Sequence, residues 1–356
     1  MFGCRLYSSF GSGVMDLSIV VSALNRIAPI RLAAEWDNVG LLVEPSSPHL
    51  VQRIILTNDL TLNVLQESID HNVNMIVSYH PPIFKPMKKL TENHWKEKIL
   101  IKAIENRIAI YSPHTASDAV QGGVNDWLAT GLGELTSTRP ITANKFVNYG
   151  GLLLCKKADE QLFIAPVENS KKPSPPTKFS TENGTLMQLE SEQVCQVADI
   201  VRTRGISDRN VQFFPASQLP NSGTATGAGR ICVLRKPNTM KNVIDNIKAH
   251  LNLDHVRFGL GAGKSLNDLI STIAICAGSG ASVLTGVKAD LYLTGEMSHH
   301  EVLEVTQKGG SVVLCEHSNT ERGYLQVLRT KLHEILGEDN LTITISHLDK
   351  DPLEIL

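Results

Sequence analysis

The sequence lacks most of the features that would assign it to a class at a glance. Its six cysteines (Cys4, Cys155, Cys195, Cys232, Cys276 and Cys315) are scattered, with no CxxC pair and no disulfide-like spacing. That excludes a small cysteine-rich scaffold and fits a reducing compartment. No apolar run approaches the roughly 20 residues that span a bilayer, so no membrane partner is expected. Neither sign of charge dominates: 34 basic and 36 acidic residues leave a net charge of −2. This argues against a broad basic surface for direct nucleic-acid binding. There is no Gly-x-Ser-x-Gly elbow, and no cysteine is paired by motif with a histidine. Gly261-Ala-Gly-Lys-Ser265 resembles the end of a phosphate-binding loop, but that pattern needs glycine at 258, where Phe258 stands. What is present is the composition of an ordinary globular protein, 42% hydrophobic and 20% charged. Its 356 residues suffice for two domains.

From Met15 the apolar residues Leu17, Val20, Val21, Leu24 and Ile27 fall on one helical face. Short β-branched runs at 53–56, 74–78 and 107–112 then alternate with helical stretches at 62–70 and 95–106. This is the rhythm of parallel βαβ units. It returns after a helix at 242–251, with strands expected at 269–277, 289–294, 311–315 and 341–346. Helices are expected at 282–286, 298–307 and 321–336. Between the halves, 168–185 is polar, proline-bearing and aperiodic, as a linker or surface loop would be. A helix at 193–204 and a strand at 210–214 complete the middle. The reading is an α/β fold of two linked lobes, 15–147 and 227–356, around an insert at 148–226. Residues 1–14 read as a ragged start, with a short mitochondrial-type leader as the alternative.

Metal-competent side chains collect just after the strands. Asp59 follows the first, His80 the second, His114 and Asp118 the third. Glu296 and then His317 with Glu321 follow two strands of the second lobe. Ligands of open α/β sheets bind beyond the carboxyl ends of the strands, where loops converge. In His317-Ser-Asn-Thr-Glu321 a four-residue spacing puts both ligands on one side of a helical turn, and His114-Thr-Ala-Ser-Asp118 repeats it. A mixed imidazole–carboxylate set suits zinc, iron or manganese better than calcium, and a shared carboxylate could bridge two ions. Taken singly each residue has a plainer role: His114 as a structural loop residue, His80 as a cap to the Pro81-Pro82 turn. The His299-His300 pair reads as the first turn of a helix capped by Ser298 and Glu301. The glycine turn Gly278-Ser279-Gly280 leaves backbone amides that could receive an anion, or serves as a tight turn.

The motifs Glu35-Trp-Asp-Asn-Val-Gly40, Ser78-Tyr-His-Pro-Pro82, Ser112-Pro-His-Thr115 with Asp118, Leu293-Thr-Gly-Glu-Met-Ser298 and Glu316-His-Ser-Asn-Thr-Glu-Arg-Gly323 together resemble the Nif-three-like family. The wording is that of its animal members; bacterial relatives carry the label of GTP cyclohydrolase type two homologues. The resemblance covers about 15–144 and 210–356. It implies a dinuclear metal centre in a cleft between two lobes, and dimers or toroidal hexamers. Mapped residue by residue, the metal set is His80, His114, Asp118, His317 and Glu321. The sequence departs at the first of two paired histidine positions, which is Tyr79, and this bears on the second ion.

Two functions follow from the resemblance. One is a metal-binding transcriptional co-regulator of corepressor type, acting through protein partners in cytoplasm and nucleus. The other is a metal-dependent hydrolase of a nucleotide or other phosphorylated small molecule, with His114 as a ligand-orienting residue or proton shuttle.

Overall fold

The computed structural model describes residues 13–143, 149–156, 178–182, 184–190, 197, 201, 211–215, 226–337 and 341–354. All but the last two residues of the 1–14 start, and most of the expected 168–185 linker and 193–204 helix, lie outside them.

Chain order runs as follows. Helix α1 (Leu17–Ile27) starts at Asp16, whose carboxylate accepts the Ser18 amide, and buries Leu17, Val20, Leu24 and Ile27. Then come β1 (Gly40–Val43), β2 (Arg53–Thr57), α2 (Leu62–Asp70), β3 (Met75–Ser78), α3 (Trp95–Glu105), β4 (Ala109–Ser112), α4 (His114–Ala119), α5 (Val124–Thr130) and β5 (Leu135–Arg139). The middle contributes β6 (Tyr149–Cys155), β7 (Lys178–Ser180), β8 (Thr185–Glu190) and β9 (Val211–Pro215). The final third holds β10 (Arg230–Thr239), α6 (Met240–Leu251), β11 (Arg257–Gly259), β12 (Leu269–Cys276), α7 (Ala281–Leu284), β13 (Leu291–Thr294), α8 (His299–Gln307), β14 (Ser311–Leu314), α9 (Tyr324–Leu336) and β15 (Thr342–Ile345).

Residues 1–144 and 224–356 form one compact unit, and 145–223 form another. The smaller unit is a four-stranded antiparallel sheet, β7-β8-β6-β9, with Leu153, Met187, Leu189 and Val197 in its core.

The larger unit contains two main sheets. The first runs β15-β2-β3-β4-β1, parallel except for the antiparallel edge strand β1. The second runs β11-β14-β13-β12-β10-β5, with β12, β13 and β14 parallel and the outer strands antiparallel. Side-chain alternation divides each sheet between two cores. Ile54 and Leu56 join α1 and α9 on one side of the first sheet, whereas Ile55 faces α2 and α3 on the other. In the second sheet Ile273, Ile275, Leu291 and Leu293 belong to the same large core as α1, α6 and α9, while Ala274 and Tyr292 pack with Leu284, Val302 and Val305. One continuous core therefore ties the two sheets together.

The seams differ from a simple split into an early and a late lobe. β15, grouped by sequence with the second lobe, pairs in parallel with β2 of the first sheet. β5, grouped with the first lobe, closes the second sheet against β10. Each sheet thus borrows a strand from the other half of the chain. Among the described residues no helix is long and apolar enough to cross a membrane.

Candidate metal centre

The parallel strands of both sheets deliver their carboxyl ends to one cavity of about 830 Å³. Asn58 and Asp59 leave β2, Tyr79 and His80 leave β3, and His114 and Asp118 sit on α4 beyond β4. From the second sheet come Gly278 after β12, Glu296 after β13, and Glu316, His317 and Glu321 after β14. The expected helical spacing of His317 and Glu321 is met by a short 3-10 turn, Ser318–Thr320. Two non-glycine residues here adopt positive φ, His114 at 30° and Glu316 at 65°. Backbone strain of this kind concentrates where a side chain must be aimed for function.

At the floor, His80, His317 and Glu321 offer ligand atoms all within 4.8 Å of one another. Glu321, 3% exposed, points Oε2 at His80 Nε2 and Oε1 at His317 Nε2, each 3.4 Å away. These separations exceed the usual hydrogen-bonding range. Each separately matches a pair of ligand atoms about 2.1 Å from a tetrahedral ion, which stand about 3.4 Å apart, with the two imidazoles facing different oxygens of the carboxylate. The other nitrogen of each ring is already committed to an acid: His80 Nδ1 lies 2.9 Å from Asp59 Oδ1, and His317 Nδ1 2.7 Å from Glu296 Oε1. A carboxylate behind the imidazole fixes the tautomer that leaves Nε2 free for a metal. Asn58 Nδ2 donates to Glu321 Oε2 at 3.1 Å and holds the carboxylate in place.

The charges agree. Burial would raise the Glu321 carboxyl, but the two imidazoles beside it hold it down at about 2. Burial opposes charge on His80, yet Asp59 and Glu321 lift it to about 10. Glu321 chiefly, with Glu296, lifts His317 to about 9 against burial. Without an ion this is a proton-loaded cluster, and a divalent cation would take the place of those protons. Two imidazole nitrogens and a carboxylate are a ligand set for zinc or non-haem iron, so the residues present fit such an ion.

The other expected ligands are placed differently. Asp118 accepts a short hydrogen bond from the Tyr79 hydroxyl and lies outside the three-residue cluster. Burial pushes its carboxyl up to about 6. His114 lines the same cavity with its ring centroid 5.4 Å from that of His80, and its Nδ1 is held by Asp37 Oδ1 at 2.7 Å. In the glycine turn, the Gly278 amide donates to Thr320 Oγ1 and the Gly280 amide to Thr294 Oγ1. Two of the three amides expected to meet an anion are thus used within the fold. His299 and His300 are exposed on α8, above a reciprocal Ser298–Glu301 cap. Asn58 and Asp37 were not singled out from sequence. The signal for Asp37 was its place in the Glu35–Gly40 motif; Asn58 offered only adjacency to Asp59.

The sequence profile of the Duf34/NIF3 (NGG1p interacting factor 3) family matches residues 15–352. This chain belongs to the Duf34/NIF3 family. NIF3-like protein 1 of Homo sapiens is 44% identical over 353 residues, covering 96% of this chain and 93% of its own length. NGG1-interacting factor 3 of Saccharomyces cerevisiae is 31% identical over 353 residues, covering 96% and 97%. Among solved structures, a Bacillus cereus protein related to NIF3 superposes with a TM-score of 0.69 at 22% identity, covering 98% of this chain and all of that one. That likeness establishes the NIF3 fold for this chain.

Proposed function

We propose that this Duf34/NIF3 protein binds a divalent transition metal (zinc, iron or manganese) through His80, His317 and Glu321, and acts in transcriptional regulation through protein partners. The convergence of two acid-oriented imidazoles on one buried carboxylate carries the metal reading. The regulatory reading is supported by the yeast relative, whose name records interaction with NGG1. Purified full-length chain should contain metal by elemental analysis, and His317→Ala and Glu321→Ala should each lose it. Full metal content in both variants would refute the assignment.

A second reading is metal-assisted hydrolysis, favoured by the cavity above the three ligands. Its mouth carries exposed Trp36 and Phe84, ring centroids 5.9 Å apart, with Lys96 also on the wall. Such a mouth suits a flat ring bearing a phosphate: the aromatics cover the ring and the ammonium meets the anion. When bound, a divalent ion supplies Lewis-acid polarisation and makes water more acidic. His114, steadied by Asp37, faces the same space and is placed to accept or return a proton. Metal-loaded protein assayed on nucleotides and sugar phosphates separates the readings. Turnover that His317→Ala abolishes supports hydrolysis, and its absence across the panel leaves the regulatory role alone.

A further inference from the structure

The metal set implied by family resemblance is dinuclear, but the side chains around Glu321 do not supply two ions. Each metal-facing imidazole has its Nδ1 bound to an acid, so His80 and His317 contribute one nitrogen apiece. Divided between two ions, the cluster would give each one nitrogen and one oxygen of Glu321, short of the three protein ligands that an open catalytic site keeps, and His114, the other imidazole on the wall, lies outside the cluster. Further acids on the cavity wall are engaged. Asp59 and Glu296 orient the two histidines, Glu316 pairs with Arg257 Nε at 2.8 Å, and Asp351 accepts from Ser318 Oγ at 2.6 Å. The remaining one, Asp118, receives the hydroxyl of Tyr79, a residue 3% exposed whose ring packs edge-on against both His80 and His114. Among the described residues no other group of three potential ligands converges.

Resting on the metal-centre reading above, we infer that this chain holds a single ion per protomer, and that the Tyr79–Asp118 hydrogen bond occupies the place of a second. Tyr79 is then the residue that sets how many ions the cavity takes. Its phenol supplies the positively polarised hydrogen that Asp118 would otherwise seek in a cation. An imidazole at the same position would offer a nitrogen to a metal, and Asp118 would be released to join it.

The test counts metal in full-length protein stripped by chelator, reloaded with Mn(II) alone and desalted. The wild type should retain one ion per chain and give the six-line spectrum of isolated Mn(II). Asp118→Asn, which keeps shape and can still accept the Tyr79 hydroxyl, should also retain one. Tyr79→His should rise to two, with a spin-coupled Mn(II) pair, and Tyr79→His/Asp118→Asn should return to one. Two ions in the wild type, loss of the single ion from Asp118→Asn, or a count of one in Tyr79→His would each overturn the inference. His317→Ala separates the two levels: an ion retained there defeats the underlying metal-centre reading, whatever the count.

Discussion

At the scale of single residues, the site depends on an atom that is missing. Gly278 has φ +63°, and a Cβ built on it would lie 2.5 Å from Glu321 Oε1 and 2.9 Å from His317 Nε2. Neither neighbour can retreat freely, because Glu321 is buried and His317 is pinned by Glu296. Gly278→Ala should therefore weaken metal binding about 10- to 100-fold, the usual effect of disturbing the support of a ligand. Left-handed backbone strain should add a stability loss of about 1 kcal/mol. Competition against a chromophoric chelator measures the first effect, with exposed Ser279→Ala as a control that should match the wild type. The convergence of His80, His317 and Glu321 was legible in the sequence, because a side chain just past a β-branched run is placed largely by strand geometry. The fate of Asp118 was not. It hinges on a hydroxyl 39 residues away, and contact between the segments that follow two neighbouring parallel strands has no trace in local spacing.

At the scale of elements, the parallel strands were readable and most of the antiparallel ones were not, β9 (expected at 210–214) being the exception. β3, β13 and β14 are buried along their whole length, as is β2 beyond its exposed Arg53, and their centres form continuous apolar runs. β5 (Leu-Thr-Ser-Thr-Arg) is an exposed edge without apolar alternation and carries no strand signature, and β10 follows its apolar residues 231–234 with Arg-Lys-Pro-Asn-Thr, which halves the signal. The join between β12 and β13 offers a pH test away from the candidate metal centre. Asp290 Oδ2 accepts the amides of Ser271 and Thr272 and the Thr272 hydroxyl, each at 2.9 Å. Burial works against ionisation, but these donors outweigh it and lower the carboxyl below its ordinary value. A lowered folded-state value means stability that is present above about pH 4 and lost as pH falls through the lowered value. Asp290→Asn should cost about 1.5 kcal/mol at pH 7. The gap from wild type should narrow steadily below pH 4 in urea titrations; a gap independent of pH would refute the account.

At the scale of the whole molecule, the proposed ligands come from opposite sheets, His80 from the first and His317 with Glu321 from the second. An ion held there joins the two as a cross-link, in addition to the shared core. Restoring Zn(II) to chelated protein at 100 times its dissociation constant should stabilise the fold by about 2.7 kcal/mol. The midpoint of thermal unfolding should rise by several degrees, with no rise in Glu321→Ala. That the fold is two linked α/β sheets was legible from the recurring strand–helix rhythm. The exchange of β5 and β15 between them was not, since sheet order is decided by packing across the whole chain.

That exchange has a consequence for how the protein is made. A ribosome releases β2 well before β15, which follows every other strand described above, so until β15 emerges the first sheet offers an open edge beside β2. The nascent chain passes through a long sticky interval, during which protective chaperones matter more than for a sheet completed from consecutive segments. Only when the closing strand emerges does the molecule seal itself.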